Sequence, residues 1–265
     1  MDELEGIAVE VDGEGDEVVL LVHGWPDTAR LWDDQVEALR GDYRCVRPTL
    51  PGYDVGGPRR PTSVAQMTGI LRALVDRESP DRPVVLLLHD WGCVFGLHFA
   101  MKHPERVARV VAMDVGDARS EDLRRELSLA GKGMVFGYQS WLALAWRIGG
   151  ALGDRMTRWM AKLLGAPAAP EEIGSGMNYP YDMMWTGSYG GFADLETWVP
   201  TKPTLFFYGS RKPLQFFSRA WADAIEARDD SRVVRVEAGH WLMKEEKDAV
   251  NRTLREWLLG TEDAR

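Results

Sequence analysis

Asp90 closes the apolar run Pro83-Val84-Val85-Leu86-Leu87-Leu88-His89 and is followed by Trp91-Gly92-Cys93-Val94-Phe95-Gly96. That order reads as a strand entering a tight turn and then a helix start, the context that presents an exposed nucleophile. The small residue expected two places earlier is Leu88, and the nucleophile is a carboxylate rather than a hydroxyl. A carboxylate attacking a carbonyl would give a labile anhydride, so the site suits displacement at saturated carbon. The intermediate would be an alkyl ester of Asp90, cleaved later by water. A plainer role for Asp90 is to N-cap the helix, a position Asp favours. The apolar strand before it and the Gly92/Gly96 spacing after it favour the nucleophile.

Two further motifs supply what such a nucleophile needs. In His23-Gly24-Trp25-Pro26, a glycine, a bulky residue and a proline fix a loop after an apolar strand. The Trp25 backbone N–H can then point inward as an oxyanion donor. The Trp91 N–H, at the start of the next helix, would be the second donor, aided by the helix dipole. Late in the chain, Glu237-Ala238-Gly239-His240-Trp241-Leu242 sets a loop histidine behind a glycine, suited to a general base. The other histidines have plainer roles: His23 and His89 adjoin the two motifs, and His98 and His103 fall on the helix after the turn.

A base histidine needs a carboxylate to set its tautomer and stabilise its charged form. The loop Gly209-Ser210-Arg211-Lys212-Pro213, after a strand at 204–208, is the usual place for it and contains no acid. The substitute is Asp114, which ends an apolar strand at 107–113, with Asp117 as local competitor.

The elements that must position these residues alternate between strand and helix over the first hundred positions, which predicts a parallel sheet with crossover helices. Residues 7–11 and 18–23 read as an opening strand pair joined by the turn at 12–16. Trp32, Val36 and Leu39 share one helix face, and 43–46 reads as the next strand. Ser63 caps a helix reaching about Arg77. The run 84–88 is apolar at every position, as in a strand covered on both faces. From 118 to 198 helical periodicity takes over, and six of the eleven methionines and five of the eleven tryptophans fall there. That segment reads as a helical cap inserted into a core made of 1–117 and 199–265. Strands at 204–208 and 233–237 and helices at 214–228 and 244–259 complete the core.

With these residues assembled, the chain resembles the α/β-hydrolase superfamily, specifically its epoxide hydrolase and haloalkane dehalogenase branch with an Asp nucleophile. His23-Gly24-Trp25-Pro26, His89-Asp90-Trp91-Gly92 and Gly239-His240 match that branch in type, order and spacing. The likeness covers essentially the whole chain. It implies an α/β-hydrolase fold: an eight-stranded, mostly parallel sheet flanked by helices, with a cap after the sixth strand. A buried site would lie between core and cap. Members that place the acid after the sixth strand support Asp114, whereas the acid-free loop at 209–213 departs from the commoner epoxide hydrolase arrangement.

Epoxide hydrolases resemble one another in using two cap tyrosines to protonate the leaving oxygen. Tyr138 is similar in place to the first, and Tyr181, with Tyr179 as its near competitor, to the second. Trp91 resembles the halide-binding tryptophan of haloalkane dehalogenases, but that family typically has Asn where this chain has Trp25. Haloacetate dehalogenases place Arg beside the nucleophile; Trp91 and Cys93 stand here instead, which argues against an anionic haloacid. The resemblance therefore implies opening of an epoxide to a vicinal diol through an ester on Asp90, hydrolysed by water that His240 activates. Haloalkane dehalogenation with the same Asp90 is the alternative, and a non-catalytic ligand-binding module is a third reading.

Composition trims the remaining options. A net charge of −9 argues against a nucleic-acid partner, since phosphates want clustered Lys and Arg. Cys45 and Cys93 make no disulfide framework, and a reducing cytoplasm is the expected compartment. The acidic start of the chain lacks the features of a signal peptide. No uncharged apolar run approaches the roughly 18 residues of a membrane span, so no membrane partner is expected. The reaction needs no metal or organic cofactor. The expected partners are a small apolar epoxide or haloalkane and water.

Overall fold

The computed structural model describes residues 2–4, 6–118, 120–192, 195–196 and 199–260. Among them, eight strands form one sheet in the order β1-β2-β4-β3-β5-β6-β7-β8. The strands are β1 (Asp2–Leu4), β2 (Ile7–Asp12), β3 (Val18–Val22), β4 (Arg44–Pro48), β5 (Val84–His89), β6 (Val107–Met113), β7 (Thr204–Gly209) and β8 (Arg232–Val236). Pairing is parallel from β4 through β3, β5, β6 and β7 to β8, and antiparallel for β1–β2 and β2–β4. Helices α1 (Asp33–Leu39), α2 (Val64–Glu78) and α3 (Trp91–Lys102) alternate with the early strands. Four more, α4 (Glu121–Glu126), α5 (Leu129–Ile148), α6 (Gly150–Leu164) and α7 (Tyr179–Thr186), lie between β6 and β7. The chain then adds α8 (Arg219–Glu226), α9 (Leu242–Glu245) and α10 (Lys247–Leu259).

Side chains of a strand alternate between the two faces of its sheet. Accordingly, Val18, Leu20 and Val22 join one buried cluster with Leu71 of α2, Phe99 of α3 and Ile225 of α8. Val19 and Leu21 join the other, with Leu39 of α1 and Leu254 of α10. Both faces are covered, which is why β3 and β5 are apolar without interruption. The Ser63 expectation holds: Ser63 and Gln66 form a reciprocal capping box at the start of α2.

Several expectations are corrected. Strands β2 and β3 do not pair, because β4 lies between them, with Val9 opposite Pro48 and Asp12 opposite Cys45. The buried Arg47 of β4 draws β2 to that side: its guanidinium pairs with Glu10 at 3.0 Å, Asp12 at 2.7 Å and Asp33 at 2.5 Å. A turn-rich link at 12–16 is compatible with either neighbour, so composition could not decide the pairing. The acidic start of the chain, read only as lacking a leader, contributes β1. The helix expected at 214–228 begins at Arg219, because Ser218 caps it by accepting from the Trp221 N–H. The helix expected at 244–259 is two, α9 and α10, separated at Glu246. His103 is the C-cap of α3 and not part of it.

The helical insertion packs onto the sheet domain. Leu142, Trp146, Met160 and Tyr179 belong to the same apolar cluster as β3 and α3. One polar latch joins the parts: the Trp25 indole N–H donates to Asn178 Oδ1 at 2.8 Å, and the Asn178 amide donates to Thr157 Oγ1 at 2.7 Å. Asn178 is fully buried. The expected cap boundary at residue 198 lies outside the described residues. Among the described residues, no helix is long and apolar enough to cross a membrane. Asn178→Ala should leave the Trp25 indole and the Thr157 hydroxyl without this partner and lower stability by about 1–3 kcal/mol. Denaturant melts of the two proteins measure it, and an unchanged midpoint would show the latch to be dispensable.

Candidate active site

The turn after β5 presents Asp90 in a conformation few residues tolerate. Its φ is 52° and ψ is −122°, and although it occupies the N-cap position of α3 its side chain makes no capping bond. The carboxylate is therefore not used as the helix cap. Two glycines make room for it. A Cβ on Gly24 would lie 2.4 Å from Asp90 Oδ1, and one on Gly92 would lie 2.1 Å from the Val22 carbonyl oxygen. Backbone and the Asp90 carboxylate thus approach where no side chain fits.

Asp90 Oδ1 accepts a hydrogen bond from the Trp25 backbone N–H at 2.7 Å. Oδ2 faces His240 Nε2 at 3.5 Å, an ion-pair separation with no room for water between. Burial alone would raise the Asp90 pKa. His240 foremost, and the Trp91 backbone N–H, hold it below the usual carboxylate value. The largest of the lowering effects is His240, not the backbone donors.

The other ring nitrogen of His240, Nδ1, bonds to Asp114 Oδ2. Asp114 sits immediately after β6 at φ 71° and is fully buried. Its Oδ1 accepts from the Gly209 N–H at 3.0 Å, and Oδ2 is shared with Lys212 Nζ. Burial would raise the Asp114 pKa, but His240 and then Lys212 hold it low. For His240, burial lowers the pKa, yet Asp114 and Asp90 outweigh it and raise the value to about 9. The resting imidazole is thus a cation between two carboxylates. Asp117, the competitor for the acid role, is occupied elsewhere: its oxygens accept from the Ser218 N–H at 2.7 Å and hydroxyl at 2.6 Å.

Asp90 lies on the walls of two adjoining cavities. The larger, about 550 Å³, is lined by Trp25, Tyr138, Tyr181, Phe216 and His240, and also by Lys212. The smaller, about 100 Å³, is bounded by Trp91, Val94, Leu123, Val135, Met184 and again Tyr138 and Tyr181. Tyr138 and Tyr181 meet edge to face at 6.1 Å. Burial raises both phenol pKa values, so both stay protonated at neutral pH. Tyr181 also takes a hydrogen bond from the Trp91 side chain. Tyr179 lines neither cavity: its ring packs edge-on against Tyr53 and Trp146. Two helical steps of about 100° each separate positions 179 and 181, so the neighbours face opposite ways.

Sequence reasoning missed three participants. Lys212 was counted only as part of a loop without an acid; a cation there is the complement of an acid moved to β6. His89, its pKa lowered by burial to about 3, lies tilted at 42° against the His240 ring at 4.5 Å between centres, with Nε2 at 3.1 Å from the His240 carbonyl oxygen. Asp27, buried and bonded to the Trp241 indole at 2.9 Å, has a pKa pushed up to about 7 by burial. Among the described residues, no cluster of His, Cys, Asp and Glu could hold a metal ion.

Comparisons with known proteins agree with this architecture. Epoxide hydrolase A of Mycobacterium tuberculosis is 26% identical over 96% of this chain and 94% of its own length. Epoxide hydrolase 3 of Siraitia grosvenorii is 32% identical over 43% of this chain and 40% of its own. A crystal structure of a Bacillus megaterium epoxide hydrolase complexed with its diol product aligns with a TM-score of 0.72 at 22% identity, covering 96% of this chain and 97% of that one. An ancestral haloalkane dehalogenase aligns with a TM-score of 0.65 at 21% identity, over 97% and 96% of the two chains. At such identities the structural likeness speaks for the fold alone. A model of the alpha/beta hydrolase family matches residues 19–253, and this chain, an epoxide hydrolase-like α/β hydrolase, belongs to that family.

Proposed function

We propose that the protein hydrolyses a small apolar epoxide to a vicinal diol, with residues 118–198 acting as a cap over a core of 1–117 and 199–265. The observation that carries this reading is a partly buried Asp90 carboxylate facing His240 at 3.5 Å, on the wall of a cavity it shares with Tyr138 and Tyr181. Asp90 Oδ2 attacks an epoxide carbon, and the C–O bond breaks as Tyr138 or Tyr181 gives its proton to the leaving oxygen. The product of this step is an alkyl ester of Asp90. His240 then takes a proton from water as the oxygen attacks the Asp90 carboxyl carbon. The Trp25 and Trp91 N–H groups stabilise the oxyanion that develops there. Collapse expels the diol and restores the carboxylate.

Charge bookkeeping explains how one histidine serves both steps. At rest His240, as a cation, lies between Asp90 and Asp114, and Lys212 lies on the far side of Asp114. Esterification removes the Asp90 charge, so one of the two attractions holding the imidazole proton disappears. Lys212 weakens the other by sharing Asp114 Oδ2. The imidazole then releases its proton, which returns the phenolate left by ring opening to a phenol, and a base exists only once there is an ester to cleave.

The haloalkane alternative asks for N–H donors to a departing halide. The Trp25 indole is committed to Asn178, and Trp91 bonds to Tyr181. Phenols poised beside the nucleophile suit an alkoxide better.

Three experiments test the reading. His240→Gln incubated with an epoxide should accumulate an adduct on Asp90 equal to the substrate mass, seen by intact mass and peptide mapping. An adduct only from a haloalkane, lighter by the halogen, would install dehalogenation instead; no adduct from either class, with no diol or halide from the wild type, would leave a binding module. The double variant Tyr138→Phe with Tyr181→Phe should slow ester formation in single-turnover measurements by about 10²–10⁴-fold. An unaltered rate would remove the phenols from the mechanism. Lys212→Met should leave Asp114 fully available to His240, so the imidazole keeps its proton to higher pH. The acidic limb of ester hydrolysis should then move up by roughly one pH unit; a limb that stays put or moves down refutes the role given to Lys212.

A further inference from the structure

Large apolar side chains are not exposed evenly over this molecule. Among the described residues, eleven of the fourteen that are exposed lie between Leu129 and Tyr189, on the inserted helices and the turn after α7. Helix α6 turns Gly153, Thr157 and Met160 inward, yet its outer side carries Leu152, Trp159 and Leu163, each more than half exposed. A surface helix ordinarily shows charge and polarity on that side. The outward residues also meet across neighbouring helices. Trp159 meets Trp141 of α5 at 5.1 Å, and Phe136 of α5 meets Trp185 of α7 at 5.2 Å.

The charge on the same helices is one-sided. From residue 129 to 165 the chain has five Lys and Arg and a single acid, Asp154, in a protein of net charge −9. Asp154 is turned inward, accepting from the Ser175 N–H and hydroxyl at 2.7 Å. Arg147 pairs with Asp182, but Lys132, Arg155 and Lys162 stand exposed beside the apolar residues. Apolar residues interleaved with cations are what a protein lying in the headgroup region of an anionic bilayer presents. A second copy of this chain fits less well, because stacking like on like would oppose cation to cation.

We propose that the outer face of α5 and α6 docks on an anionic lipid surface, with the mouth of the active-site cavity opening through the docked face. Met134, Leu163 and Leu164 are both exposed on that face and part of the cavity wall. An apolar substrate dissolved in the bilayer would reach Asp90 without crossing water; this delivery route rests on the epoxide reading, whereas the docking does not. The sequence expectation of no membrane partner rested on the lack of a spanning segment, which does not bear on a face lying in the interface.

Flotation with vesicles of phosphatidylcholine containing about 30 mol% phosphatidylserine tests the docking, against vesicles of phosphatidylcholine alone. The wild type should float with the anionic vesicles and be released at about 0.5 M salt. Leu152→Ser with Trp159→Ser, and separately Arg155→Glu with Lys162→Glu, should each weaken partitioning by about tenfold or more while melting like the wild type. These four residues lie outside the catalytic machinery. Absence of flotation, equal binding to neutral vesicles, or binding untouched by either well-folded variant overturns the proposal. So does a concentration-dependent dimer in sedimentation velocity that the same variants dissolve, since the face would then be a self-association surface.

Discussion

Four ionisable side chains alternate in sign through the interior: Asp90, His240, Asp114 and Lys212. Each would be prohibitively costly to bury alone, and each is tolerable only because its neighbours are charged and close. Their distances are set by the ends of three adjacent strands. Asp90 follows β5, Asp114 follows β6, and Lys212 follows β7, while His240 comes from the loop after β8. A parallel sheet delivers the carboxyl ends of its strands to one edge, so residues far apart in sequence converge without long connections. Asp90 and Asp114 hold positive φ, each a strain of about 1–3 kcal/mol that only a rigid surround maintains. The apolar sandwich of β3, β5 and β6 is that surround.

The parts of this arrangement that were legible in sequence share one property: they are local. The strand before Asp90 is apolar throughout because both its faces are covered, and that pattern needs no partner to be seen. Gly92 must be glycine because α3 starts against the Val22 carbonyl, and Gly24 because Asp90 fills the space, so the two motifs carry their own geometry. The choice of Asp114 over Asp117 rested on chain position. Asp114 reaches His240, while two further residues carry Asp117 to Ser218, where it anchors the start of α8.

What was not legible depends on pairing at a distance. Whether β2 lies beside β3 or β4 turns on Arg47 and three acids from two other elements. Lys212 reads as a solvated loop cation until β6 and β7 are set side by side and Asp114 is found beneath it. Tyr179 and Tyr181 are equivalent by composition and separate only when the phase of α7 is fixed against the core. The exposed apolar face of α5 and α6 was read as part of a roof, since periodicity cannot tell which of two apolar sides turns inward.

The ion array also constrains what the cavity can accept. Both carboxylates face cations, and the wall around Asp90 is mostly rings and aliphatic side chains, with Arg211 and Lys212 on one side already paired to Glu245 and Asp114. An anionic substrate would have to displace that balance, adding a negative charge beside Asp90 with Lys212 already committed to Asp114. In the proposed reaction a neutral substrate would leave it intact until the covalent step, when the loss of the Asp90 charge would be felt first by the imidazole 3.5 Å away. Because Coulomb interactions strengthen as dielectric falls, an apolar wall enlarges the change in His240 basicity that esterification produces. Lining the cavity with phenylalanine, leucine and methionine therefore does more than admit apolar ligands. In the proposed reaction it would make the histidine sensitive to whether its neighbour is a carboxylate or an ester, which would separate the two chemical steps in time.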